Sequence, residues 1–119
     1  MYKINYDVAK NRLNGVLQGF LTEEEAQKYN AELKKAVDQA KEGFTAMFDL
    51  RELKVLPPEA MEVITEGKKY AARKGLKKSA MVVSSAILKM QANRSLKDIG
   101  EGEEVYFDSL IDAENFLSK

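Results

Sequence analysis

Residues 44–61 read Phe44-Thr45-Ala46-Met47-Phe48-Asp49-Leu50-Arg51-Glu52-Leu53-Lys54-Val55-Leu56-Pro57-Pro58-Glu59-Ala60-Met61, and the class of fold follows from them. Phe44 to Leu50 is a short apolar run closing on Asp49-Leu50-Arg51, the pattern of a strand buried on both faces. Pro57-Pro58 suits the first turn of a helix, where a missing backbone N–H leaves no hydrogen bond unmade. Ala60, Val63, Ile64, Gly67 and Ala71 then fall on one helical face, and Gly75 closes the helix. The unit is strand, loop, helix, and residues Arg51 to Leu56 form the longest loop expected in the chain.

The same alternation extends both ways. Upstream, Tyr2, Ile4 and Tyr6 alternate with Lys3, Asn5 and Asp7 as in a half-buried strand. Lys10-Asn11-Arg12 reads as a turn and Leu13 to Leu21 as one strand returning beside the first, with Gly15 and Gly19 marking bulges or close packing. Thr22-Glu23-Glu24-Glu25 is a capping box whose carboxylates suit the positive end of a helix. Ala26, Tyr29, Leu33, Ala36, Val37 and Ala40 form its apolar stripe, and Gly43 terminates it. Downstream come a buried strand in Ser79 to Ser84, a helix from Ile87 to Ile99 followed by Gly100, and a brief strand Val105-Tyr106-Phe107. Asp108 caps a last helix carrying Ala113, Phe116 and Leu117. The order ββαβαβαβα predicts one α/β domain over residues 1–119. It has a mixed, mostly parallel sheet of about five strands with about four helices, and the opening hairpin supplies the antiparallel edge.

Composition narrows the chemistry. The 119 residues carry 19 Lys plus Arg against 19 Asp plus Glu, and no His, Cys or Trp. Without His there is no Ser-His-Asp triad and no imidazole base; without Cys there is no thiolate nucleophile and no thiolate zinc site. A metal would have to bind through oxygen alone, and no Asp/Glu spacing resembles a calcium loop. Zero net charge removes the bulk attraction of a nucleic-acid binder. No apolar run approaches the ~20 residues that span a bilayer, and Met1-Tyr2-Lys3 leads into a strand pattern rather than a signal peptide, so the expected location is the cytoplasm. Neutrality is nevertheless a sum over segregated segments. Lys68, Lys69, Arg73, Lys74, Lys77 and Lys78 stand together, and Glu101, Glu103, Glu104, Asp108, Asp112 and Glu114 follow with no base among them. The six cations suit an anionic partner or, more plainly, a solvated helix end.

This element order, at this length, resembles the STAS domain, the fold of the SpoIIAA-like anti-anti-sigma factors. Asp49-Leu50 and the apolar positions Leu53, Val55 and Leu56 match the segment that in phosphoswitch members runs approximately Asp-Leu-Ser-Gly-Val-x-Phe-Met-Asp-Ser-Ser-Gly-Leu. Pro57 stands at that motif's second Asp, Pro58 at the phosphoacceptor Ser and Glu59 at the next Ser. Pro58 has no hydroxyl, so the resemblance implies a member without the usual phosphorylation. Phe48-Asp49-Leu50-Arg51 and Tyr106-Phe107-Asp108-Ser109 with Ala113, Phe116 and Leu117 look like the SEC14-related SpoIIAA-like group of small bacterial proteins. Kinship of that group to lipid carriers implies an apolar ligand as an alternative.

Five residues make the expected partner-binding site: Asp49, Arg51, Pro57, Pro58 and Glu59. A fixed carboxylate at Glu59 mimics a permanently charged state, or simply complements the helix dipole for ~0.3–1 kcal/mol. Asp49 and Arg51 end the central strand, where open α/β sheets place their crevice. Their plainer role is to fix the following loop by local hydrogen bonds. Ser84 and Ser85 follow another strand and reach the same crevice, or cap the next helix. Met61, Met81 and Met90 read as core packing. The expected function is a non-catalytic regulatory or protein-interaction module, needing no cofactor and no metal. Its partner is another protein, with a homodimer as a further arrangement. The alternative is a small carrier or sensor of a lipid-like or other apolar ligand, with room left by Gly15 and Gly19.

Overall fold

The computed structural model describes residues 1–55, 57–84 and 103–119. In chain order its elements are β1 (Tyr2–Asp7), β2 (Arg12–Leu17), β3 (Gly19–Phe20), α1 (Glu23–Gln39), β4 (Thr45–Asp49), β5 (Leu53–Val55), α2 (Pro58–Arg73), β6 (Lys78–Val82), β7 (Glu103–Phe107) and α3 (Leu110–Leu117). The main sheet has the order β1-β2-β4-β6-β7, with β1 antiparallel to β2 and every other pair parallel. This is the mixed, mostly parallel five-stranded sheet expected from the alternation. Three helices are described; the expected helix Ile87 to Ile99 lies outside the described residues.

Strand alternation sorts the side chains into two layers. Leu13, Gly15 and Leu17 of β2, Ala46 and Phe48 of β4 and Met81 of β6 face α1 and α2, whose buried Ala26, Tyr29, Leu33, Ala60, Ile64 and Ala71 complete the larger core. On the opposite face Ala80 and Val82 of β6 pack with Ala113 and Leu117 of α3 in a smaller cluster. Arg12, expected in a turn, instead opens β2 and is buried at 4% exposure. Its Nε donates to Thr45 Oγ1 at 3.0 Å and its guanidinium pairs with Glu114 of α3 at 2.8 Å. Lys10 reaches the same Glu114 oxygen at 2.7 Å. The two cations, Lys10 foremost, hold the Glu114 carboxyl below the usual carboxylate range.

Several boundaries move for local reasons. The strand expected over Leu13 to Leu21 divides at Gln18, because Gly19 takes φ +70° and turns the chain onto a separate two-stranded ribbon of β3 with β5. The ribbon's register shifts between Gly19 and Phe20, which pair with Leu53 and Val55 and leave Lys54 of β5 without a partner in the ladder. Residues 53–55, expected within a loop, form the other strand of that ribbon. Helix α1 starts as expected, with Thr22 Oγ1 accepting from the Glu25 amide, but ends at Gln39 rather than Gly43. Gly43, at φ +85°, serves the turn into β4. Helix α3 is capped by Ser109, not Asp108, since the Ser109 side chain accepts from the Asp112 amide.

Helices α1 and α2 run parallel, as successive right-handed crossovers require. Their contacts advance together along both: Asn30 lies against Gly67, and the Tyr70 hydroxyl donates to Asp38 at 2.6 Å. Both N-termini therefore sit at the end of the molecule where the parallel strands finish.

Two glycines keep the layers close. A Cβ at Gly15 would lie 2.6 Å from the Phe48 ring, so this glycine makes room for an aromatic side chain of the core. A Cβ at Gly67 would overlap Asn30 Oδ1, a buried oxygen with no hydrogen-bond partner among the described residues. The Phe48 ring is rigid and enclosed, whereas at Gly67 the neighbours that must give way are the Asn30 amide and the Leu33 methyl, the far ends of side chains that can turn. Gly15→Ala should therefore lower stability by about 1–3 kcal/mol. Gly67→Ala should lower it less, because a helix gains ~1 kcal/mol on replacing Gly by Ala. Urea denaturation midpoints of the two variants check this order.

Candidate interaction site

Strand β4 ends at Asp49, and the chain leaves the sheet under close restraint. The Leu50 amide donates to Val82 O at 2.7 Å, extending the sheet pairing by one residue, and the Val83 amide donates to Phe107 O at 2.8 Å. Asp49 Oδ1 accepts from the Arg51 backbone amide at 3.1 Å and from Arg51 Nε at 2.9 Å, while Oδ2 accepts from Arg51 Nη2 at 2.8 Å. The two expected site residues thus engage each other, in the loop-fixing arrangement given above as their plainer role. The Arg51 side chain holds the Asp49 carboxyl below the usual carboxylate range by hydrogen bonding.

From there the Leu53 amide donates to Leu50 O at 3.2 Å, closing a turn, and the Gly19 amide donates to Glu52 O at 2.8 Å, seating β5 beside β3. Half-buried Leu50 and Leu53 pack on the main core. Pro57 is the N-cap of α2 at φ −61°, ψ 155°, and Pro58 is its first helical residue. The first helical bond runs from the Met61 amide to Pro57 O at 2.9 Å. Pro57 itself makes no side-chain cap bond, so two fixed proline φ angles set the helix start where a Ser or Asp would normally do so. Glu59, in the first turn, is exposed.

Pro57, Pro58 and Glu59 therefore open α2 at the end of the sheet where the Asp49–Arg51 loop leaves β4, and together they form one edge of the molecule. Ser84 is exposed two residues beyond Val82, the register partner of Asp49, at the same end of the sheet. Ser85, Leu56 and Met90 lie outside the described residues. Sequence reading missed two members of the edge. Met61, expected in the core, is 48% exposed, and Phe20, expected within a continuous strand, is 54% exposed on β3. Phe20 pairs in register with Val55, three residues before Pro58. The signal for Phe20 was Gly19, whose positive φ turns the next residue off the main sheet.

Among the described residues no group of three or more acidic side chains is placed to hold a metal ion, and no helix is long and apolar enough to cross a membrane. No family model and no curated protein matches the sequence. Among solved structures, the chain is similar to the crystal structure of an uncharacterized DUF3478-family protein with a SpoIIAA-like fold from Shewanella loihica PV-4. The likeness has a TM-score of 0.78 at 22% identity and covers 98% of this chain and 93% of that one. The chain has a SpoIIAA-like fold. The segment Asp49 to Met61, on which the resemblance was drawn, supplies in this SpoIIAA-like fold the exit from the central strand and the start of α2.

Asp49 and Arg51 are partly exposed, at 22% and 42%, so their pair contributes at most about 1 kcal/mol. A lowered carboxyl pKa stabilises the fold above the unfolded-state value and ceases to do so as pH falls through the folded value. Asp49→Ala should shift the denaturation midpoint only slightly at neutral pH, and the shift should fade as pH falls through the lowered Asp49 value. The Arg51 amide should exchange its hydrogen faster in the variant, as measured by amide exchange.

Proposed function

We propose that this protein is a non-catalytic interaction module of STAS type that binds another protein through the start of α2 and the loop before it. The observation that carries this reading is the pair of large apolar side chains, Phe20 and Met61, left in solvent at the end of the molecule where the parallel strands finish. Apolar surface held in water is unfavourable, and covering it on a support that needs no ordering gives affinity at low entropic cost. The Asp49–Arg51 pair, the β3–β5 ribbon and Pro57-Pro58 supply that support. A SpoIIAA-like fold is in keeping with the module, while the choice of partner rests on the edge itself.

The module works without a phosphate switch at the usual position. Pro58 carries no hydroxyl, and Glu59 beside it supplies a permanent charge. The absence of imidazole and thiol from the sequence supports a binding rather than a catalytic role. So does the state of the two carboxyls, Asp49 and Glu114, whose pKa values are lowered by neighbouring cations. Neither is poised to donate a proton near neutrality.

Affinity capture from cells that natively hold the protein tests the reading. Wild type, the edge variant Pro58→Gly/Glu59→Lys and the far-end control Lys41→Glu would be compared by quantitative mass spectrometry. At least one protein should be retained by wild type and the control and lost from the edge variant. Identical recoveries from all three would overturn the module reading.

A further inference from the structure

Six large apolar side chains are exposed among the described residues: Met1, Val8, Phe20, Met61, Leu110 and Ile111. The topology places five of them at one end. Met1 exchanges backbone hydrogen bonds with Gln18 just beyond β2; Phe20 lies on β3; Met61 is in the first turn of α2; Leu110 and Ile111 open α3. Val8 alone belongs to the opposite end, in the hairpin turn between β1 and β2.

Charge divides along the same axis. Three carboxylates, Glu23 to Glu25, fill the first turn of α1. Residues 52–66, covering β5 and the first half of α2, hold four acids and one base, whereas residues 67–78, running to the start of β6, hold six bases and no acid. Some of those cations are engaged internally. Lys68 pairs with the buried Glu104 at 3.4 Å, Lys78 donates to the Phe116 and Lys119 carbonyls, and Lys74 lies over the Tyr70 ring. At the other end Glu23, Glu59 and Glu62 are exposed: Glu23 follows Phe20 by three residues at the start of α1, and Glu59 and Glu62 adjoin Pro58 and Met61 in the first turns of α2.

An apolar centre with an acidic surround fits one class of partner. We infer that the edge formed by Phe20, Pro58 and Met61 receives a basic amphipathic segment of another protein, whose apolar side chains cover these three residues and whose Lys or Arg side chains meet Glu59, Glu62 and the start of α1. The inference rests on the module reading and adds the chemistry of the partner. A second copy of the chain fits less well: its basic end offers charge, but Val8 is its one exposed large apolar side chain among the described residues, so the apolar centre would stay uncovered. Fully desolvated apolar anchors supply most of the affinity in such contacts, and the charges supply steering and selection.

Three synthetic peptides test this by fluorescence anisotropy against the full chain: a helix-forming Leu/Lys amphipath, its scrambled isomer of equal composition and a Leu/Glu amphipath. The Leu/Lys amphipath should bind at least about tenfold tighter than either of the others, a difference of ~1.4 kcal/mol. Binding should weaken by a similar factor in Phe20→Ser/Met61→Ser and in Glu59→Lys/Glu62→Lys, and should be unchanged in Glu42→Lys at the far end. These side chains are exposed, and circular dichroism verifies that the variants are folded. Amide shift changes in the wild type, expected at residues 19–25 and 57–62, give a reading independent of any variant. Equal binding of the scrambled isomer, preference for the Leu/Glu peptide, or shift changes confined to residues 67–78 would overturn the inference. So would a wild-type dimer in sedimentation that Phe20→Ser dissolves, since the occupant would then be a second copy. The capture experiment is separate: if it still yields an edge-dependent partner while the Leu/Lys peptide fails, the charge assignment falls and the module stands.

Discussion

The ring of Phe48 occupies the space that a side chain at position 15 would need, and much of the structure follows from that contact. It brings β2 and β4 together with Gly15 opposite Phe48 in the parallel register. Because side chains alternate along a strand, seating Phe48 in the core turns Asp49 to the other face at the strand's end. There its carboxylate meets Arg51 and organises the loop that leads through β5 to Pro57-Pro58. A shift of one residue in that register would send Phe48 to the smaller layer and Asp49 into the main core.

The second layer is held differently. Helix α3 covers a small apolar cluster, and its ionic anchorage is correspondingly prominent: Glu114 meets both the buried Arg12 and the exposed Lys10. The Arg12 guanidinium is taken out of water, so its counter-charge is worth more than that of an exposed pair. Lys68 and Glu104 make a comparable tie between α2 and β7 on the main face. Basic and acidic stretches well separated in sequence thus neutralise one another at chosen points, and the carboxylates about the start of α2 stay in solvent.

Where a single local rule operates, the sequence was legible. Helix α1 follows from its capping box and apolar stripe; β1 follows from strict alternation; β4 and the entry to α2 follow from an apolar run and two prolines. Reading failed where two rules compete. Residues 13–21 look like one apolar strand, and only the positive φ of Gly19 divides them. Arg12 looks like a turn residue by type, yet the fold supplies Thr45 and Glu114 to satisfy it in the interior. Met61 fits a core position by chemistry, but it stands at the outer side of a first turn that no described neighbour covers. Ser109 displaced Asp108 as the cap of α3 by a single residue, within the ordinary uncertainty of a helix boundary.

By itself the sequence determined the alternation of strands and helices, the parallel sheet with its antiparallel edge, a proline without a hydroxyl at position 58 and the absence of imidazole and thiol chemistry. These depend on residue identity or on periodicity, which act over a few neighbouring positions. Only the tertiary structure decided that Phe20 and Met61 are exposed at the same end of the sheet as Glu59, that Gly15 serves Phe48, and that five of the six exposed large apolar side chains among the described residues gather where the parallel strands end. Those facts join segments more than thirty residues apart. Their cause is the right-handed crossover, which returns each helix antiparallel to its strand and so brings the starts of α1 and α2 to the same end of the sheet.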